Sequence, residues 1–322
     1  MNDSTLQKPM IILTGPTAVG KTELSISLAK AVNGEIISAD SMQVYRHMDI
    51  GSAKITREEM QGIPHHMIDV LDPWDPFNVV IFQKMCRDCL ADIYSRNKIP
   101  IVTGGTGFYI QALMKDIDFT ENEDDPSIRE EYETLAAQKG VEYIHKLLKE
   151  VDPISAETIH ANNQKKVIRA LEFYRMTGEK ISDHNRRERN KDNAYQSCYF
   201  VLNDDREKLY KKIEERIEHM LQQGLIEEVR KLKEMGCDRS LISMQGLGYK
   251  EILAYLDGEI SLEEAVYILK RDTRHFAKRQ LTWFRREKDV IWISKQDFDY
   301  DNHKILHFMM DKIKEAGIGD RN

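Results

Sequence analysis

Apolar positions in the first third of the chain follow two alternating rhythms. PMIILTG (9–15), GEIISAD (34–40) and IPIVTGG (99–105) are short apolar runs closed by Gly or Asp, the pattern of buried strands. Between them, KTELSISLAKAVNG (21–34) and residues 78–97 carry apolar positions at helical spacing, the first with an Asn-Gly stop. TGFYIQALMK (106–115) predicts a further helix. Buried strands alternating with helices imply an α/β fold, a parallel sheet flanked by helices on both faces.

The rhythm then changes. DIDFTENEDDP (116–126) is acidic and turn-like, and the stretch to about residue 190 holds helical patterns without a convincing strand. NRRERNKDN (185–193) reads as a charged loop. AYQSCYFVLN (194–203) resumes strand character, and Leu209, Ile213, Ile217 and Met220 mark an amphipathic helix. VIWIS (290–294) predicts a late strand and 303–316 a closing helix. The expected organisation is a core in two parts, 1–119 and 194–322, interrupted by an all-helical insertion at 120–193.

Composition narrows the function classes. With 322 residues, 41% hydrophobic and 31% charged, the chain is an ordinary globular protein large enough for a substantial core. No apolar run approaches the ~20 residues that span a bilayer. The first residues, MNDSTLQKP, have neither a basic start nor an apolar stretch, so a cytoplasmic protein is expected. Four cysteines (Cys86, Cys89, Cys198, Cys237) are too few for a disulfide scaffold. Cys86 and Cys89 form C-x-x-C, but they lie in a helix-period stretch with no second Cys/His pair nearby and read as ordinary helix cysteines. A net charge of −7 opposes a whole-molecule attraction to nucleic acid and leaves local basic patches open.

The strongest chemical signal is GPTAVGKT at 15–22, in which Gly15, Gly20, Lys21 and Thr22 match G-x-x-x-x-G-K-[ST] between a predicted strand and a predicted helix. Glycines let successive amides curl towards a phosphate, and the helix N-terminus adds the positive end of its dipole. Gly15, Pro16, Thr17, Ala18, Val19, Gly20, Lys21 and Thr22 are therefore the expected cradle for a di- or triphosphate, with the Thr22 hydroxyl a ligand for Mg²⁺. Taken alone, the motif suggests a nucleotide. Yet neither Asp40 nor Asp69 follows the apolar run that usually precedes the Mg²⁺-holding acid of triphosphatases. A small-molecule kinase, with the insertion as a lid and Arg186, Arg187 and Arg189 as clamps, is one reading; a nucleotide-switched RNA-binding protein is another.

Further blocks favour a third reading. SADSMQVYRHMDIGSAK (38–54), IPHHMID (63–69), GGTGFYIQAL (104–113), VIRALEFYRMTG (167–178), GLIEEVRKL (224–232), GYKE (248–251) and TRHFAKRQLTWFR (273–285) follow the P-loop in order. Together they resemble the tRNA dimethylallyltransferase family, also called tRNA isopentenyltransferase, in its bacterial form. The resemblance implies a P-loop NTPase-like core with an inserted helical domain that contacts tRNA. It also implies transfer of a dimethylallyl group from dimethylallyl diphosphate to the N6 amine of the adenosine immediately 3′ of the anticodon, with diphosphate released, by a monomer. Where the family has His-x-Asn-Asp and an arginine-rich pair, this chain has His160-Ala161-Asn162-Asn163 and then Gln164-Lys165-Lys166.

The chemistry needs a base, because an adenine amine becomes nucleophilic only as its proton leaves. Asp40, expected at the carboxyl end of the second strand, matches the family's catalytic aspartate; capping of the following turn is its structural alternative. Lys21, Thr22 and Arg216 are implied to stabilise the leaving diphosphate, and Thr106 to act in the site or to cap a helix. Implied tRNA contacts are Asp40, Ser41, Met42, Gln43, Thr106, Arg129, Gln164, Lys165, Lys166, Val167, Ile168, Arg169, Lys278 and Arg279. Residues 270–288 hold eight Lys/Arg against two acids, interleaved with His275, Phe276, Trp283 and Phe284, a composition suited to single-stranded RNA. Phe276 and Phe284 are expected to face the core. His65, His66 and Asp69 are read as structural rather than metal-binding.

Overall fold

The computed structural model of the chain describes residues 7–119 and 126–318. Contacts divide the chain into two units, one running to Met114 and resuming at Ala194, the other Lys115–Asn193.

The first unit begins with β1 (Pro9–Thr14), whose Met10, Ile11, Ile12 and Leu13 are wholly buried. Burial of that kind contributes roughly 1.5–3 kcal/mol per large apolar side chain, which is why this strand sits inside the sheet. Next come α1 (Lys21–Val32) and β2 (Gly34–Ala39). Asn33, left-handed at φ 52°, ends the helix with its amide on the Ala29 carbonyl and turns the chain directly into β2. A two-residue β3 (His65–His66) follows, then α2 (Val79–Ser95), whose first amides, Val80 and Ile81, bond to the Asn78 side chain. β4 (Ile99–Gly104) and α3 (Gly107–Met114) complete the first half.

In the second unit lie α4 (Pro126–Lys139), α5 (Val141–Val151), α6 (Pro153–Thr158), α7 (Gln164–Thr177) and α8 (Ile181–Arg189). Ile144 and Leu148 of α5 meet Val167, Ile168, Ala170 and Leu171 of α7 in a core of their own. Residues 185–189 of the expected loop at 185–193 belong to the helix α8. Its charged residues are held because Glu188 is buried, accepting the Asp118 amide at 3.0 Å and the Lys191 ammonium. His184 packs on the Phe173 ring at 5.1 Å. A pattern search sees only the polarity of such a segment.

The first unit resumes with β5 (Gln196–Asn203), α9 (Arg206–Gln223), α10 (Leu225–Glu234), α11 (Tyr249–Leu256), α12 (Leu262–Phe284), β6 (Val290–Ser294) and α13 (Asn302–Glu315). The sheet order is β3-β2-β4-β1-β5-β6 and every pairing is parallel. Ile12 sits between Val102 and Tyr199. The carboxyl ends of all strands therefore share one edge, where loops gather. Among the described residues, no helix is long and apolar enough to cross a membrane.

Candidate active site

The loop between β1 and α1 is fixed by its neighbours. Gly15 has φ 150°, and a Cβ there would lie 2.3 Å from the Leu202 carbonyl oxygen of β5, so no larger residue fits. Ala18 also adopts a left-handed conformation, at φ 64°. The Lys21 ammonium donates to the Gly15 and Pro16 carbonyls at 3.0 and 2.9 Å, folding back over the loop. Burial pushes its pKa down to about 8; Arg216 adds to the fall and Asp40 opposes it.

A cavity of about 370 Å³ opens on this loop. Thr17, Ala18, Gly20, Lys21 and Thr22 line it, whereas the Val19 side chain turns into the core. Gly15 and Pro16 are off the wall and serve the loop through the carbonyls that accept the Lys21 ammonium. The Thr17 amide is already committed. It donates to Gln280 Oε1 of α12 at 2.9 Å, while Gln280 Nε2 donates to the Gly105 carbonyl at 2.9 Å. The loop amides from Ala18 onward, rather than from Thr17, are those left for an anion. Gln280 thus laces the loops after β1 and β4 together, a role its place in a basic helix did not announce.

Asp40 stands just beyond β2 on the cavity wall. Its Oδ1 accepts the amides of Met42 (2.8 Å) and Gln43 (3.3 Å), so the turn-capping expected as an alternative coexists with a place in the site. Gln43 also lines the cavity and ties Ser38 to the Ser52 and Ala53 carbonyls. Ser41 and Met42 are half-buried beside it and stand off the wall. The far end of this loop is anchored by Glu228 of α10, which accepts the amides of Asp49 (2.9 Å), Ile50 (2.7 Å) and Gly51 (3.0 Å) and the Tyr249 hydroxyl (2.8 Å). The buried Lys54 ammonium bonds to Tyr45 O (2.7 Å), Asp49 (2.6 Å) and Asp69 (2.5 Å). Asp69 therefore serves the loop and stays off the cavity wall.

Arg216 is half-buried. It points from α9 into the cavity, its Nη1 at 3.5 Å from Thr17 Oγ1, and burial lowers its basicity while Asp40 opposes that. Lys212, one turn earlier, also lines the cavity. The deeper wall is Ile36, Ile55, Ile68 and His65. His65 bonds through Nδ1 to the Ile63 carbonyl at 2.8 Å, and burial lowers its pKa. Phe276 corrects an expectation: it is half-buried on the cavity wall, whereas Phe284 is in the core. Residue 276 falls on the flank of α12 between the buried Ala277 stripe and solvent, a distinction that spacing from Phe284 cannot make. Thr106 is off the wall, which Gly104 and Gly105 form; its carbonyl accepts the Tyr109 and Ile110 amides at the head of α3.

Two of the residues implied to touch RNA are corrected by burial. Val167 and Ile168 are 0% and 4% exposed, so their side chains belong to the helical unit's core. Gln164, Lys165 and Lys166 form the first turn of α7, the two lysines exposed against the positive end of its dipole. Arg129 and Arg169 both pair with the buried Glu172, at 2.8 and 3.2 Å. On α12, Lys270, Arg271 and Arg274 pair with Glu218, Asp272 and Glu214. Lys278 and Arg279 are exposed and, among the described residues, belong to no ion pair. Trp283 packs edge-on against Phe108 at 6.0 Å.

Among the described residues, no group of three or more His, Cys, Asp or Glu side chains could hold a metal ion. Among the oxygen donors on the cavity, the Thr22 hydroxyl and the Asp40 carboxylate suit a hard cation that keeps its waters and is carried by phosphate oxygens. Mg²⁺ fits such a donor set. The arrangement as a whole offers cations and amides to an anion at one end and a carboxylate to a proton at the other.

A family model described as IPP transferase matches residues 43–287, and one described as Isopentenyl transferase matches residues 9–70. The chain is 62% identical to a protein named tRNA dimethylallyltransferase from Lachnoclostridium phytofermentans, covering 97% of this chain and 99% of that one. It resembles the crystal structure of the tRNA isopentenylpyrophosphate transferase of Bacillus halodurans (42% identity, TM-score 0.72, 97% and 98% covered). A eukaryotic dimethylallyltransferase acting on tRNA is also similar (28% identity, TM-score 0.80, 98% and 81% covered).

Proposed function

Since the chain belongs to the tRNA dimethylallyltransferase family and transfers a dimethylallyl group to tRNA, we propose that it acts on the N6 amine of the adenosine immediately 3′ of the anticodon. The observation that carries the mechanism is the pairing, in one cavity, of the Asp40 carboxylate with the cationic P-loop. Dimethylallyl diphosphate is held by the amides of Ala18 to Thr22, by Lys21 and by Arg216. Asp40, its direction set by the Met42 and Gln43 amides, takes one proton from the adenine amine as the nitrogen bonds to the allylic carbon. The carbon–oxygen bond breaks and its electron pair leaves with diphosphate. Lys21 and Arg216 stabilise that growing charge, and Thr17 fixes the guanidinium. Mg²⁺, held through Thr22 and the diphosphate, would supply further charge neutralisation. Partial burial raises the strength of each of these interactions.

The RNA partner is the anticodon stem-loop, contacted by Gln43, by the exposed Lys165 and Lys166 and by Lys278 and Arg279. The protein works as a cytoplasmic monomer in this reading.

The test supplies an anticodon stem-loop, Mg²⁺ and dimethylallyl diphosphate labelled in the prenyl group and in the bridging oxygen. Prenyl label is expected in the RNA, and the bridging oxygen in released diphosphate, without ATP. Absence of prenyl label in RNA, with hydrolysis of ATP when ATP is added, would overturn the proposal.

A further inference from the structure

Two lysines outside the motif reach the P-loop. Lys212 and Arg216 lie one turn apart on α9 and both face the cavity. Lys212 is neutralised, its Nζ 2.6 Å from the fully buried carboxylate of Asp204. Lys295, the first residue after β6, approaches from the other flank. Its Nζ lies 3.2 Å from where a Cβ on Gly20 would stand, at the N-terminus of α1. The residue is 9% exposed, and among the described residues its Nζ has no hydrogen-bond or ion-pair partner.

That placement is unfavourable twice over. The side chain is largely buried, so its ammonium, without a protein partner, keeps only limited contact with water. It also faces the positive end of a twelve-residue helix. Burial and the nearby Lys212 lower the basicity of Lys295, while Asp204 and Glu23 oppose them. Asp204 is already engaged with Lys212, and Glu23 makes no ion pair with Lys295. An unbalanced cation at an anion-binding helix terminus is relieved when an anion arrives.

We propose that Lys295 is a further diphosphate-binding residue, contacting the bound anion across Gly20 from the β6 side, opposite to Arg216. The proposal rests on the P-loop holding a diphosphate. It gives the anion cations from three elements: Lys21 from α1, Arg216 from α9 and Lys295 from the turn after β6. Because β6 is two strands from β1, only the folded sheet brings these groups together.

The test titrates inorganic diphosphate with Mg²⁺ into wild type, Lys295→Met, Lys295→Arg and Lys21→Met, and measures KM for dimethylallyl diphosphate and for stem-loop RNA. Lys295→Met is expected to weaken diphosphate binding about tenfold, through loss of a charge-assisted hydrogen bond. KM for the prenyl donor should rise in parallel, KM for RNA should hold within about twofold, and Lys295→Arg should keep most of the affinity. The melting temperature of the empty protein should not fall in Lys295→Met, since the ammonium has no hydrogen-bond or ion-pair partner to lose. A purely structural lysine predicts the reverse, a lower melting temperature with diphosphate affinity intact, and that result overturns the proposal. If Lys21→Met also binds diphosphate normally, the P-loop reading falls and this one with it. Loss in Lys21→Met with no change in Lys295→Met removes Lys295 alone.

Discussion

Asp40 spends Oδ1 on the amides of Met42 and Gln43, which leaves its other oxygen for a proton. Asparagine can accept the same two amides but cannot act as a base. Asp40→Asn should therefore keep the turn and lower kcat by about 10²–10⁴, with KM for the prenyl donor little changed. A single-turnover rate near that of wild type would remove Asp40 from the chemistry. Lys21 gives a pH dependence. Its pKa of about 8 in the empty protein means that the ammonium is charged below that pH and neutral above it. Diphosphate binding needs the ammonium, so affinity should fall by up to about tenfold per pH unit above 8, with proton uptake on binding. Deprotonation of the ligand itself works in the opposite direction. Calorimetry at pH 7 and 9.5 in buffers of different ionisation heat checks this, and Lys21→Met should abolish the proton uptake.

At the scale of elements, the loop from Ser41 to Lys54 has almost no secondary structure yet is held at both ends. Its order comes from Glu228, Lys54 and Gln43, whose partners are mostly backbone groups. Glu228→Ala strips the acceptor from three amides and a hydroxyl, a loss of about 1–3 kcal/mol. We expect a higher KM for RNA and a lower kcat, with diphosphate affinity unchanged; equal effects on both substrates would show general damage instead. This also marks how far the sequence could be read. The runs 9–15, 34–40 and 99–105 announced their strands because buried parallel strands are continuous apolar text, and 290–294 did so although its edge strand is only partly buried. The two-residue β3 and the polar α8 did not, since one is too short for any period and the other owes its helix to buried partners of His184 and Glu188. Within the site, GPTAVGKT and Asp40 were legible by motif. Gln280, Lys212 and Lys295 were not, because Gln280 and Lys212 reach the cavity, and Lys295 the P-loop, only through packing of distant elements. Burial of Val167 and Ile168 was visible in principle as the apolar stripe of α7, against the resemblance that placed them on RNA.

The molecule as a whole carries −7, so RNA must be drawn to it by local charge. Lys278 and Arg279, exposed and outside any ion pair among the described residues, are the most available cations of the basic helix. Reversing both should weaken stem-loop binding and flatten its dependence on log salt by about 0.7 for each lost phosphate contact. An unchanged slope in filter binding from 50 to 200 mM salt, roughly the range over which such contacts are felt, would exclude them. Prenyl-donor affinity should not respond.

The amide of Ala194 donates to the carbonyl of Met114 at 2.8 Å, so the chain leaves and rejoins the sheet-bearing unit at a single stitch. A segment whose two ends already touch asks nothing of its host in loop closure, and the host needs no rearrangement to receive it. The helices between these points are in that sense a graft. Through descent they can lengthen, shrink or exchange their surface while β5 keeps its register on β1. The sheet-bearing unit and the helical unit are therefore free to change at different rates.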